Sequence, residues 1–481
     1  MFGSTVAQLR YATAIARGRA VPPWVLRSLV GAALRTAEHR GVRATSVDAL
    51  LTDDAASLDL TRRRFARQVH YACSRTRAYC TIPSSYGDHR TLPDSGDGLP
   101  NFSELPVTTK ADISARPGEF VAAGVAAAAV TFTTGSSGPP LPIVFERTEL
   151  KTSFMLSALG NVVFGHVTAQ DRVLVAHGTR IGLSNSCVAL AAGYIGAQVT
   201  IAAQPSPSRL IEMMAATPEP PTVLYVHPSY LGHLVTLIQR GGMSAPAGLR
   251  RIMIGGELVT AGLVARARVV FGPDVDFVQG YGMTETWPAA GSMCEAGHMH
   301  VEPARAIVEV KALDGARHAG VGELGTLVVT PLLPFRVATP LIRYDTGDLV
   351  RAVQQPTACS MAGLPATSSP LGRLGAAVRL PGRVITPREI LEVVEADPHV
   401  PLPSRIGYRR VGSRVAVDVQ VFAVSVAARH ALGAAFDAAG IPLESLTLYG
   451  IDDTLPCSTY PWRGDLWEPE LRGGFAPDRA S

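Results

Sequence analysis

The chain has 481 residues, 47% hydrophobic and 17% charged, enough apolar material for a large core and for two or three domains. Its 44 Lys and Arg against 40 Asp and Glu leave a formal charge of +4, with the arginines scattered, so a nucleic-acid footprint is not expected. Near the N-terminus Arg10, Arg17 and Arg19 break every apolar run, which argues against a signal-peptide core.

In chain order, residues Ser57 to Tyr79 carry apolar side chains at helical spacing, and a Gly/Pro/Ser-rich connector follows. With "LPVTTKADI" (Leu105 to Ile113) just beyond, residues 1–104 read as a helical lead-in to a larger domain. From Val130 to about Val350, β-rich runs such as "RVLVAHG", "TVLYVH", "RIMIGGE" and "VDFVQGYG" alternate with helical segments such as "YLGHLVTLIQR" and "AGLVARARVVF". That alternation predicts βα units around a mostly parallel sheet. The most apolar window, Cys187 to Ala203, contains Gln198 and reads as a buried helix and strand, not a membrane span. After a Pro/Ala/Ser-rich loop, Gln355 to Pro370, the order becomes hairpin, helix, two strands, helix and strand, a small α+β unit. The expected domains are therefore 1–373 and 374–481, with the boundary near Leu374, in an α/β protein expected in the cytoplasm with its six cysteines reduced.

The stretch "TTGSSG" is the first chemical signal. Thr133, Thr134, Ser136 and Ser137 supply hydroxyl donors, while Gly135 and Gly138 permit backbone approach that a Cβ would block, a combination suited to cradling phosphates. Pro139 stands where a P-loop needs Lys, so that motif is excluded. Taken alone, the stretch fits an ordinary surface turn equally well.

Further stretches follow in order: "RIMIGGEL" (Arg251 to Leu258), "FVQGYGMTET" (Phe277 to Thr286), "GELGTLVVTPL" (Gly322 to Leu332), "PLIRYDTGDL" (Pro340 to Leu349) and "GRLGAAVRLPGRVITPREI" (Gly372 to Ile390). Together with "TTGSSGPP" and "LPVTTKADI", this set resembles the adenylate-forming superfamily, most closely its phenylacetate-CoA ligase branch, over roughly Thr61 to Tyr460. The resemblance implies a large N-terminal adenylation domain with βα units and mixed sheets, followed by a small mobile C-terminal domain. It also implies ATP, Mg²⁺, and activation of a small, aromatic carboxylic acid as an acyl-adenylate that passes to a thiol.

Carried over residue by residue, the resemblance puts Thr133, Thr134, Gly135, Ser136, Ser137 and Gly138 around the outer phosphates. Thr284 would bond the α-phosphate and Glu285 would ligate Mg²⁺, a hard cation that prefers oxygen ligands. Asp348 would accept the ribose hydroxyls, Gly255, Gly256 and Glu257 would line the adenine slot, Tyr281 would stack on the base, and Arg373 would reach the ribose or phosphate. Tyr225, His227, Tyr230, Gly282 and Met283 are the expected walls of the acyl pocket.

Three departures qualify the resemblance. The family's catalytic Lys lies near the C-terminus, yet the lysines here are Lys110, Lys151 and Lys311, and the nearest C-terminal cation is Arg463 in "LPCSTYPWRGDLW". The hinge reads Leu374–Gly375 where Asp or Lys is usual, and Pro139 replaces the loop Lys. Cys294, His300 and Cys359 match part of a Zn²⁺ set found in some relatives, but Met361 stands where a second late Cys would complete it, so the alternative is a remnant with free thiols. The acceptor stays open between CoA, a carrier protein, and a nitrogen nucleophile, namely an amine or nitrite acting with an aryl amine substrate; a homodimer and a degenerate nucleotide binder also stay open.

Overall fold

A computed structural model describes residues 2–17, 22, 24–26, 28–29, 54–88, 105–133, 140–176, 183–202, 205–241, 243, 245–303, 305–315 and 317–456. Helices α1 (Phe2–Ala16), α2 (Asp54–Arg75) and α3 (Lys110–Ala115) lead to the hairpin β1 (Ala127–Phe132) and β2 (Pro142–Glu146) and to α4 (Arg147–Val163). Then come β3 (Arg172–Ala176), α5 (Leu183–Ile195), β4 (Gln198–Ile201), α6 (Pro207–Ala216), β5 (Val223–Val226), α7 (Pro228–Gly241), β6 (Arg251–Gly255), α8 (Ala261–Phe271) and β7 (Asp276–Tyr281). Strands β8 (Gly291–Met293), β9 (His298–Val301), β10 (Ala306–Ala312), β11 (Leu324–Pro331), β12 (Tyr344–Arg351), β13 (Ala366–Ser368) and β14 (Gly372–Arg373) follow. The described chain closes with β15 (Val378–Leu380), β16 (Arg383–Ile385), α9 (Pro387–Ala396), β17 (Ile406–Val411), β18 (Arg414–Gln420), α10 (Val426–Ala438) and β19 (Leu443–Tyr449).

This is a mixed α/β fold, and the βα alternation holds as far as β7. Beyond it, the expected alternation to about Val350 gives way to antiparallel strands, because residues 291–351 hold no long amphipathic helical run. The window Cys187 to Ala203 also departs from expectation. Only one stripe of α5 is buried (Cys187, Ala191, Ala192, Ile195), while Leu190, Tyr194 and, on β4, Ile201 are exposed. No helix among the described residues is long and apolar enough to cross a membrane.

The residues form two compact units. The first comprises Met1–Asp171, Arg180–Val199 and Gly280–Ser369. In it β10, β11 and β12 pair antiparallel, and the short strands β8, β9 and β13 join Gly280 and Tyr281 in a second antiparallel set. Phe65, Val69, Phe145, Leu332, Leu341, Ile342 and Tyr344 share one core there. Helix α4 starts at a reciprocal cap in which Glu146 accepts from Thr148 N and Glu149 accepts from Glu146 N.

The second unit comprises Arg172–Thr179, Thr200–Gln279 and Pro370–Ser481. Strands β3, β5 and β6 pair parallel and are buried nearly throughout, as continuous Val/Leu/Ile runs require. The segment from α9 to Pro403 is set tightly against α7 and α8. A Cβ at Gly232 would lie 2.8 Å from Pro403 N, and one at Gly262 would lie 2.6 Å from Ala396 N and from the Glu395 carbonyl. Where the backbones meet, polar groups are matched. The buried Thr236 hydroxyl donates to Leu402 O at 2.7 Å and accepts from Leu402 N at 2.8 Å. Thr260 Oγ1 donates to Glu395 Oε2 at 2.5 Å while capping α8 through Leu263 N, and Glu392 accepts from Ala261 N at 2.8 Å. Both carboxylates thus face the positive end of α8. Burial pushes the Glu395 carboxyl above the usual carboxylate range.

Gly262→Ala is expected to destabilise the protein by about 1–3 kcal/mol, since the added methyl meets backbone and no flexible side chain can yield. Urea denaturation checks this; an unchanged midpoint would show that the helices separate at no cost.

Candidate functional site

The first unit carries the acidic residues. Ahead of β12, Arg343 takes a left-handed φ of 46°, and its side chain is 1% exposed. Its guanidinium bonds both Glu309 oxygens through Nε at 3.1 Å and Leu105 O through Nη1 at 2.7 Å, and its backbone bonds Thr330 and Thr108. Burial pushes Glu309 up to about 7, against the pull of Arg343. The two groups share a bidentate, charge-assisted contact that fixes the start of β12.

Two acids then acquire phenol partners. Tyr344 OH donates to Glu285 Oε1 at 3.2 Å, and Tyr281 OH donates to Asp348 Oδ2 at 2.7 Å. Glu285 and Asp348 are each 8% exposed. Between them "YDTGD" forms an irregular bend: Asp345 accepts from Gly347 N at 3.0 Å, and Gly347 has a φ of 70°. Lys311 Nζ is 3.3 Å from Asp345 Oδ2, so this lysine is engaged in holding the bend. Arg336 is fully buried, stacked 4.3 Å from the Phe145 ring centroid, with Nε and Nη2 unpartnered among the described residues. Burial lowers its pKa to about 10, and Glu149 and Glu285 raise it in opposition.

Of the other expected residues in this unit, Thr284 is half-buried, Gly282 is exposed and Met283 packs partly against the core. Thr133 is buried, its hydroxyl accepting from Leu141 N at 2.9 Å, so it closes the base of its loop. Thr134, Gly135, Ser136, Ser137 and Gly138 lie outside the described residues, as does Arg463.

In the second unit, the expected residues gather at the C-terminal ends of parallel strands, where open α/β sheets bind ligands. His227, after β5, meets Gly255 O of β6 at 3.2 Å through Nδ1, and Glu257 Oε2 accepts from Ser229 N at 2.9 Å at the start of α7. Gly256 has a φ of 86°, which favours glycine at that turn. Tyr225 is half-buried. Tyr230 is a core residue, 1% exposed, with its hydroxyl donated to Pro205 O at 2.7 Å, so it packs the interior and forms no open wall. Arg373 follows Gly372, whose φ of 109° and 2.6 Å approach to Pro387 admit no side chain.

A separate cluster lies in the first unit. The structure brings Cys294, His300 and Cys359 together and adds a fourth group, His298, all four ligand atoms within 4.8 Å of one another. The fourth group comes from β9, and Met361 contributes its backbone N–H to Cys359 Sγ at 3.3 Å. His298 escaped notice because it belongs to a strand; alternate residues of a strand share a face, and C-x₃-H-x-H was the available signal. Tyr344, Arg343 and Arg336 were also missed, their roles depending on partners distant in sequence.

The family described as AMP-binding enzyme matches residues 65–330, more than half of the chain. The fold is similar to that of 2-hydroxyisobutyryl-CoA ligase in the postadenylation state with R3-HIB-AMP (19% identity, TM-score 0.69, covering 88% of this chain and 94% of that one). It is also similar to the open conformation of that ligase with 2-HIB-AMP and CoA (19%, TM-score 0.60, covering 86% and 92%) and to an anthranilate CoA ligase with anthranoyl-AMP (15%, TM-score 0.51, covering 69% and 65%). No curated protein matches the chain.

Glu309→Gln keeps the shape under Arg343 and removes its countercharge, so a loss of about 3–5 kcal/mol in folding stability is expected. Guanidinium denaturation tests this, and a wild-type midpoint would mean the pair does not fix β12.

Proposed function

Since the chain belongs to the AMP-binding enzyme family, we propose that it is an AMP-forming ligase that activates a small carboxylic acid with ATP and passes the acyl group to a thiol. The observation that supports this best is the pair of phenol–carboxylate contacts, Tyr281 to Asp348 and Tyr344 to Glu285, which hold two acids in fixed directions. In the first step a carboxylate oxygen of the substrate attacks the α-phosphorus and pyrophosphate leaves. In the second, a thiolate attacks the acyl carbon and AMP leaves.

Asp348 accepts the ribose hydroxyls through its second oxygen, the first being held by Tyr281. Glu285 suits Mg²⁺ by donor chemistry, an oriented carboxylate with one oxygen braced by Tyr344, and the ion would offset charge on the phosphates. Thr284 bonds the α-phosphate, and the hydroxyls of Thr134, Ser136 and Ser137 receive the leaving pyrophosphate. The acid is aromatic and lies against Gly282 and Met283. CoA is the acceptor, in keeping with the acyl-AMP and CoA complexes of the similar folds. The absence of any Lys beyond Lys311 favours, as a second reading, a specialised member with an amine or nitrite acceptor.

Aryl-acid-dependent exchange between ATP and pyrophosphate tests the first step. Glu285→Gln should cut exchange by about 10²-fold or more, and Asp348→Ala should weaken ATP binding by about 10-fold or more. Arg463→Ala should slow adenylation by about 10²-fold if this arginine supplies the missing cation. No acid-dependent exchange across a panel of aryl and short-chain acids, in a protein that binds ATP, would sink the proposal. Product analysis with CoA, amines and nitrite separates the acceptors.

A further inference from the structure

Away from the carboxylates of the candidate nucleotide site, the first unit has a concave face dominated by positive charge. Arg75, Arg77, Arg116 and Glu119, over a floor of Pro117 and Gly118, surround a cavity of about 520 Å³. The local sequence explains how the arginines come to share it. Helix α2 ends at Arg75, and the next residue, Thr76, turns inward and is buried, its hydroxyl donating to Ala72 O at 2.8 Å. Arg75 and Arg77, on either side of it, are left exposed. On the facing wall α3 stops at Ala115, and Arg116 opens the 3₁₀ turn Pro117–Phe120.

The two walls are joined by main chain. Arg77 N and Ala78 N both donate to Glu119 O at 3.1 Å, and Ala123 N donates to Arg75 O at 2.7 Å. Behind them Tyr79 and Phe120, both core residues, meet edge to face with ring centroids 5.6 Å apart. Ala122 N reaches Ala338 O at 2.9 Å, which ties the same wall to the interior of the unit. The guanidinium stems therefore rise from fixed backbone. A Cβ at Gly118 would meet nothing within 4 Å, so the floor stands open, while one at Gly124 would lie 3.6 Å from Arg75 Nη1, which places that guanidinium along the wall.

Charge in the cavity is not balanced. Arg116 Nη1 pairs with Glu119 Oε2 at 3.0 Å, and this accounts for one cation. Arg75 and Arg77 have no carboxylate partner among the described residues. Three cations against one acid leave a lining charge of +2, half of the chain's formal excess of +4 held in one concavity. The C-terminal end of α2 explains a cation at Arg75, but not the approach of Arg77 and Arg116 to the same space. A cleft lined by one sign of charge concentrates counter-ions of the other.

We propose that this cavity binds a phosphoryl dianion carried by a small molecule, held between the forks of Arg75 and Arg77, with Arg116 closing the third side. A phosphoryl group offers two negative charges against the unmatched +2, and its oxygens accept the paired N–H groups of a planar guanidinium. The volume lies within the range of small-molecule pockets and exceeds what a bare phosphate fills, which favours a phosphate ester with an organic body. A nucleic-acid backbone would need a stripe of positive charge in place of one hollow.

The test labels the full-length protein with phenylglyoxal, which reacts with accessible guanidinium groups, and locates the labelled arginines by mass spectrometry. The probes are inorganic pyrophosphate and adenosine 3′,5′-bisphosphate. Either should slow labelling of Arg75 and Arg77 by about 10-fold or more while the exposed Arg209 and Arg429 label at their usual rate. Stronger protection by the bisphosphate assigns the dianion to an organic ester, and stronger protection by pyrophosphate assigns it to a free anion. The double substitution Arg75→Gln with Arg77→Gln, at surface positions and checked for folding by circular dichroism, should abolish protection at Arg116. Unchanged labelling of Arg75 and Arg77 with both probes overturns the site. Equal slowing at every exposed arginine also overturns it, since that marks general screening of charge. The readout is specific to these residues and independent of turnover, so failure of the ligase reading leaves the result standing.

Discussion

A charged side chain folded into the interior governs the acidic half of this protein. Arg343 adopts a left-handed backbone that any residue with a Cβ resists, at a cost of about 1–2 kcal/mol, and buries a guanidinium that must be matched in full. The guanidinium is matched by Glu309 on β10 and the Leu105 carbonyl before α3, while the Thr330 hydroxyl on β11 accepts from the backbone N–H of the same residue. Because those partners belong to separate parts of the first unit, the one residue aligns them. The next residue, Tyr344, is thereby aimed at Glu285, and four residues further Asp348 meets Tyr281.

The same unit shows how a chain poor in lysine handles charge. Lys311, one of three lysines, is committed to Asp345, and the buried cations among the described residues of this unit are the arginines Arg64, Arg336 and Arg343. A guanidinium stays protonated even where burial lowers its pKa to about 10, as at Arg336. A permanent positive charge thus sits in the electrostatic neighbourhood of Glu149 and Glu285.

Much of this was legible in the sequence, for identifiable reasons. Helix α8 was delimited correctly because Thr260 caps it and Gly272 ends it, and the parallel strands stood out as unbroken Val/Leu/Ile runs. The order of elements after Arg373 was also readable, each helix there carrying a Thr or Ser cap. Local signals fail where strands are only three or four residues long, as in β8 and β9, and there His298 was lost. They fail again where exposure is set by neighbours, as at Leu190 and Ile201, and where a residue named for the pocket, Tyr230, fills the core instead. Chemistry written as contiguous motifs could be read; chemistry assembled by pairing of distant strands could not.

The glycine contacts at α7 and α8 carry a consequence for anyone dividing the chain. A cut after Leu374 would strip Leu402 from the core it shares with Leu234 and Leu263, and would leave the Thr236 hydroxyl and the first amide of α8 facing water across newly bared small-residue furrows. Such furrows are sticky, since flat apolar helix faces seek another helix. A shortened chain would therefore be prone to self-association, and its loss of solubility would mimic a loss of function.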